Sequence, residues 1–200
     1  MNFQFYLEKL YASEDFQKFI EENKDAYLCS CFFVIDSEKG DNKQHFDYFL
    51  PVDKKMFSFK IESGCERVPV ENFESKVLTK ISDNYNFSFN KVEKLILERM
   101  EKENIKSKIQ KILLSLQNVK ETPQAYPDKS STTLKSVLRE KKDFSTNGKI
   151  STRGKDVLLG TVFISALGMI KVSIDLDEMK ITEFEKKSFL DMLRVVKRKD

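Results

Sequence analysis

The sequence predicts an α+β domain, a curved antiparallel β-sheet packed by amphipathic helices. Three observations carry this. Short runs rich in aromatic and β-branched residues recur between turn signals. Other segments repeat apolar residues at spacings of three and four. The strand-like segments come in runs flanked by helices, which favours α+β over a doubly wound parallel sheet. The 200 residues are 40% hydrophobic and 34% charged, with four Pro and six Gly. That is an ordinary soluble composition, long enough for a core without disulfide staples.

The opening reads as helix, with Phe3, Tyr6, Leu7 and Leu10 on one stripe. Ser13 has the chemistry of an N-cap, and Glu14 and Asp15 follow it in a first turn that favours acids. Phe16, Phe19 and Ile20 continue the stripe to about Asn23. Residues 26–36 (AYLCSCFFVID) read as a strand covered on both sides. Strict alternation puts Leu28, Phe32 and Val34 on one face, and Cys29, Cys31, Phe33 and Ile35 on the other. Residues 45–50 and 56–61 follow after turns, with Phe46, Tyr48 and Leu50, then Phe57, Phe59 and Ile61, inward. The turn lengths make this a three-stranded meander.

A short helix is expected after residues 69–73, with Phe73, Val77, Leu78 and Ile81 on its buried side. Asn90 and Glu93 resemble a capping box opening a second helix, whose stripe is Val92, Leu95, Ile96 and Met100. Residues 108–117 read as a strand with Ile112, Leu114 and Leu116 on one face. Residues 161–177 read as a hairpin in which Ile170, Val172, Ile174 and Leu176 face in, and Lys171, Ser173, Asp175 and Asp177 face solvent. Ser188 and Asp191 open a last helix with Phe189, Met192, Leu193 and Val196 buried.

The expected organisation is one domain, residues 1–200. Residues 1–118 supply helix, meander, helices and strand, residues 119–159 a basic loop insertion, and residues 160–200 a hairpin and C-terminal helix. One sheet is expected to hold both halves, because the last hairpin is too small for a separate core.

The segments YLCSCFFVID, HFDYFLP, KKMFSFKI, KIQKILLSLQ and TVFISALGMIKVSIDLDEMKITEFEKKSFLDML together resemble an uncharacterised family of small-genome archaea. Its layout is similar to PepSY-like or cystatin-like modules. The resemblance implies a helix laid across a curved antiparallel sheet, and by analogy with PepSY modules a binding role. This chain departs from it in lacking Trp and in carrying the long basic insertion.

Net charge is +3, too small to indicate nucleic acid by itself. The chain starts without a basic n-region, and its longest apolar run, residues 157–170, is broken by Gly160, Thr161, Ser165 and Gly168. No membrane partner is expected, and a cytoplasmic location with reduced cysteines is. Charge concentrates in residues 128–156. There Lys129, Lys135, Arg139, Lys141, Lys142, Lys149, Arg153 and Lys155 face only Asp128, Glu140, Asp143 and Asp156. All of these basic residues but Lys129 are the candidate contacts for weak, salt-dependent nucleic-acid binding. The alternative is a solvated mixed-charge loop.

Cys29, Cys31, His45 and Cys65 contain a tetrahedral zinc set if adjacent strands gather them. The usual C-x₂₋₄-C knuckle is missing, and cysteines also bury for packing alone. His45 is the only histidine, there is no nucleophile elbow, and neither glycine-rich phosphate motif occurs. No catalytic residues and no cofactor are expected. The sequence reading is therefore a non-catalytic protein- or peptide-binding module using an open sheet edge, with nucleic-acid binding through residues 128–156 as the alternative.

Overall fold

In the computed structural model, which describes residues 2–70, 78–119 and 154–188, side-chain caps set the helix starts. Asn2 Oδ1 accepts the Phe5 N–H at 2.9 Å and begins α1, Phe3–Tyr11. Ser13 caps α2, Glu14–Glu22. Ser88 caps α3, Phe89–Lys102. The strands are β1 (Tyr27–Asp36), β2 (Lys43–Leu50), β3 (Lys55–Lys60), β4 (Glu66–Pro69), β5 (Ile109–Val119), β6 (Lys155–Ile164), β7 (Gly168–Asp175) and β8 (Lys180–Ser188). They form one antiparallel sheet in the order β4-β3-β2-β1-β5-β6-β7-β8. The fold class is α+β.

That order gives the chain two halves of matching topology. Each half is a helical segment followed by a four-stranded meander, and the halves join where β1 pairs with β5. The cap residues Asn2 and Ser88 meet in an isolated antiparallel bridge, and the Phe3 N–H donates to Phe87 O at 3.0 Å. The hairpins match in sequence as well. Phe49-Leu50, a turn and Lys55-Met56 stand in the first half. Phe163-Ile164, a turn and Gly168-Met169 stand in the second. Phe49 pairs with Met56 as Phe163 pairs with Met169.

Helices α1, α2 and α3 share one face of the sheet. Beneath them lie Cys31, Phe33, Phe46, Tyr48 and Phe59 in the first half, and Ile112, Leu114, Leu116, Leu158, Val162, Ile170, Val172 and Ile174 in the second. Rings gather at the seam: Phe3 stacks on Phe87 with centroids 5.3 Å apart, and Phe33 lies 4.9 Å from Phe89. Such contacts add to burial of about 1.5–3 kcal/mol per large side chain.

Several expectations are corrected. The meander has a fourth strand, β4, and the chain after the second hairpin strand forms β8, which ends at Ser188. β8 escapes the alternation test because its exposed, charge-rich edge carries only Ile181 and Phe184 as apolar residues. The inserted segment is shorter than residues 119–159, since β5 runs through Val119 and β6 starts at Lys155. The helix expected at Asn90 starts two residues earlier, on a Ser88 cap. Residues 78–81 are not helical, and Tyr27 Oη and the Ile81 N–H hold them to β1. The last helix expected from the sequence, residues 189–200, lies outside the described residues. Among the described residues no helix is long and apolar enough to cross a membrane.

Candidate functional site

The sheet face away from the helices carries a cleft of about 410 Å³ where β1, β5, β6, β7 and β8 run side by side. Strand alternation fixes its lining. The partners of core-facing residues point inward, so Phe32, Leu113 and Leu159 turn outward to form an apolar floor. Ser115, Thr161 and Ser173 add hydroxyls, and Lys171, Glu183 and Glu185 form the rim. Ser173 Oγ donates to Glu183 at 2.9 Å, which fixes that carboxylate on β8, the edge strand. An apolar floor with a few placed polar groups is the usual make-up of a binding cleft.

Two buried aspartates brace the strand ends. Asp36, which ends β1, accepts the Lys39 and Glu38 N–H groups at 2.8 and 3.0 Å and pairs with Lys111 at 2.9 Å. The Lys39 amide and then the Lys111 ammonium lower its pKa to about 2. Asp175, which ends β7, accepts the Asp177 and Glu178 N–H groups and pairs with Lys155. The Lys155 ammonium lowers its pKa. Alternation assigns Asp175 to a solvent face, yet it is 7% exposed. A strand-end aspartate folds back onto the next turn's amides, which periodicity does not reveal.

The candidate zinc ligands do not converge. A β-bulge between Leu28 and Ser30 breaks the alternation of β1. It leaves Cys31 in the helix-side core, while the Cys29 thiol turns to the other face and donates to Asp47 O at 3.2 Å. His45 shares that other face and bonds Glu62 at 3.2 Å. Cys65 packs against the helix-side core. Among the described residues no three His, Cys, Asp or Glu side chains form a metal-holding group. Burial pushes the Cys29 thiol up to about 12 and holds the Cys31 thiol well above its ordinary value, so both stay protonated at neutral pH.

Of the nucleic-acid candidates, Lys135, Arg139, Lys141, Lys142, Lys149 and Arg153 lie outside the described residues. Lys155 is on β6 and is engaged by Asp175. Beside it a polar cluster ties the sheet to residues 82–85: Asp156 accepts Ser82 N–H at 2.8 Å, Tyr85 Oη at 3.1 Å and Asn118 Nδ2 at 2.6 Å. The cleft is not legible in the sequence because its residues come from five strands and share no motif.

No protein-family model matches the chain, and no curated protein matches it. One similar solved structure is that of a putative lipoprotein from Clostridium difficile 630, at 12% identity and a TM-score of 0.44, covering 87% of this chain and 91% of that one.

Proposed function

We propose that the chain is a non-catalytic protein- or peptide-binding module that works in the cytoplasm with reduced cysteines. The observation that carries this reading is the cleft bounded by Glu183 and Glu185 of β8. Among the described residues β8 pairs with β7 on one side and ends the sheet on the other. An extended partner adds to such an edge by backbone hydrogen bonds and turns alternate side chains over the neighbouring face. Here that face offers Leu159, Leu113 and Phe32 to apolar side chains. The PepSY-like or cystatin-like resemblance fits a helical segment followed by an antiparallel meander, which this chain has twice. The location agrees with three free cysteines.

The test is native co-purification of the chain and of Leu159→Lys, with mass spectrometry and absorbance at 260 nm on the eluate. Leu159 is half-buried on the cleft floor, so lysine keeps its stem on the sheet while charging the floor. A stoichiometric protein retained by the native chain and lost from the variant is the expected result. Recovery of no protein partner under mild salt overturns the reading. Nucleic acid that elutes with salt from both chains moves the function to residues 128–156.

A further inference from the structure

The β6–β7 hairpin turns through Ala166 (φ 64°) and Leu167 (φ 56°). Consecutive left-handed residues are the province of Asn-Gly and Gly-Gly, because a Cβ crowds the backbone there. This turn carries two aliphatic residues instead, and Leu167 at its tip is 68% exposed. The position thus combines backbone strain with an exposed apolar side chain.

The tip does not stand alone. Just below it Phe163 and Met169 face each other across β6 and β7, and Phe163 is 37% exposed. The same cross-strand row continues to Lys111 on β5 and Lys187 on β8. Lys108 adjoins the turn: the Ser165 N–H donates to Lys108 O at 2.9 Å and the Lys108 N–H to Ser165 Oγ at 3.1 Å. Asp36 holds Lys111 and Glu185 holds Lys187. Lys106 and Lys108 are exposed and have no carboxylate partner among the described residues. The result is a projecting apolar tip with the exposed Lys108 beside it, Lys106 two residues earlier in the chain, and the Lys111–Asp36 and Lys187–Glu185 pairs along the row below.

We propose that this hairpin tip is a peripheral anchor for an anionic phospholipid surface. Leu167 enters the boundary between headgroups and acyl chains, Phe163 and Met169 rest on it, and Lys106 and Lys108 meet the lipid phosphates. A lone projecting side chain needs a matching hollow on a protein partner, whereas a bilayer yields to it. Cations spaced around apolar residues are the pattern that anionic leaflets attract. This goes beyond the cleft reading and does not depend on it.

The test is co-sedimentation of the full chain with vesicles of phosphatidylcholine alone and of a phosphatidylcholine–phosphatidylserine mixture. The informative variant is Leu167→Asn, because Asn accepts a left-handed backbone and leaves every charge in place. Val52, 82% exposed at the matching tip of the first half, supplies the control Val52→Asn. The native chain is expected to sediment with the mixed vesicles and not with phosphatidylcholine. Leu167→Asn should lower that partitioning about tenfold, the order expected for removing one leucine from an apolar environment, with no fall in Tm. Val52→Asn should behave as the native chain. The proposal is overturned if the native chain stays in the supernatant of the mixed vesicles, or if Leu167→Asn sediments like the native chain. The latter result would assign any vesicle binding to the charges alone. Loss of a co-purified protein from Leu167→Asn, with no vesicle binding by the native chain, would make the tip a protein contact instead.

Discussion

The two halves of the sheet run through the same elements and fill them with different chemistry. Under α1 and α2 the first half packs rings: Phe16 lies 5.1 Å from Phe59 and 5.0 Å from Tyr48, and Phe19 lies 5.0 Å from Phe59. Under α3 the second half packs Val92, Ile96 and Met100 on Leu114, Val162, Ile170 and Val172. Matched hairpins show the exchange directly. MFSFKI in β3 and just beyond corresponds to MIKVSI in β7, so Phe57 and Phe59 stand where Ile170 and Val172 stand. Phe49 is fully buried while its counterpart Phe163 is 37% exposed. Topology is set by where apolar residues fall along the strands, and many residue types satisfy it; the size of those residues sets the spacing between layers.

The seam is where this comparison breaks most readily. Phe33 is 1% exposed and touches Phe3, Phe46 and Phe89, which come from both halves. Phe33→Ala should cost about 3–5 kcal/mol. Urea unfolding followed by two probes, one per half, should show one shared transition. Separate transitions would make the halves independent.

A smaller effect is expected at Gly160, the counterpart of Phe46. Any Cβ there would collide with the Val172 side chain and press on Leu114. Gly160→Val should therefore destabilise by about 1–3 kcal/mol through overpacking, read as a lowered denaturation midpoint. A neutral result would mean that the second half is loosely packed.

Both halves should share an acid sensitivity. Asp36 has a folded pKa of about 2 against an ordinary value of 3.8, and Asp175 is lowered in the same direction. A depressed carboxylate adds stability that is complete above its unfolded pKa and is lost as pH falls through the folded one. Tm should thus hold near neutrality and decline as pH drops from about 4 towards 2. Asp36→Asn should flatten part of that decline, and an unchanged profile would remove Asp36 from the account.

The smallest effect separates the helix starts. Ser88→Ala removes the α3 cap and should cost about 1 kcal/mol, visible as a small shift in midpoint. A similar loss from Ser13→Ala would show that the caps of the two halves matter equally.

Much of the fold is legible in the sequence. The spacing of Phe3, Tyr6, Leu7 and Leu10, and of Val92, Ile96 and Met100, marks buried helix faces because a 3.6-residue period brings those positions onto one stripe. The alternation of Ile170, Val172, Ile174 and Leu176 marks β7 equally well. β4 and β8 escape detection because edge strands bury little, and so carry little pattern. Strict alternation puts Cys29 on the wrong face because one bulged residue inverts the parity between the positions on either side of it.

By itself the sequence determined most of the interior helices and strands and which side of each is apolar. Those properties rest on short-range periodicity and on caps. Only the tertiary structure decided that β1 meets β5, that Cys29 and His45 lie on one face while Cys31 and Cys65 lie on the other, that Asp175 is buried, and that residues of five strands frame one cleft. Each of these depends on strand register and order, which bring together residues far apart in the chain.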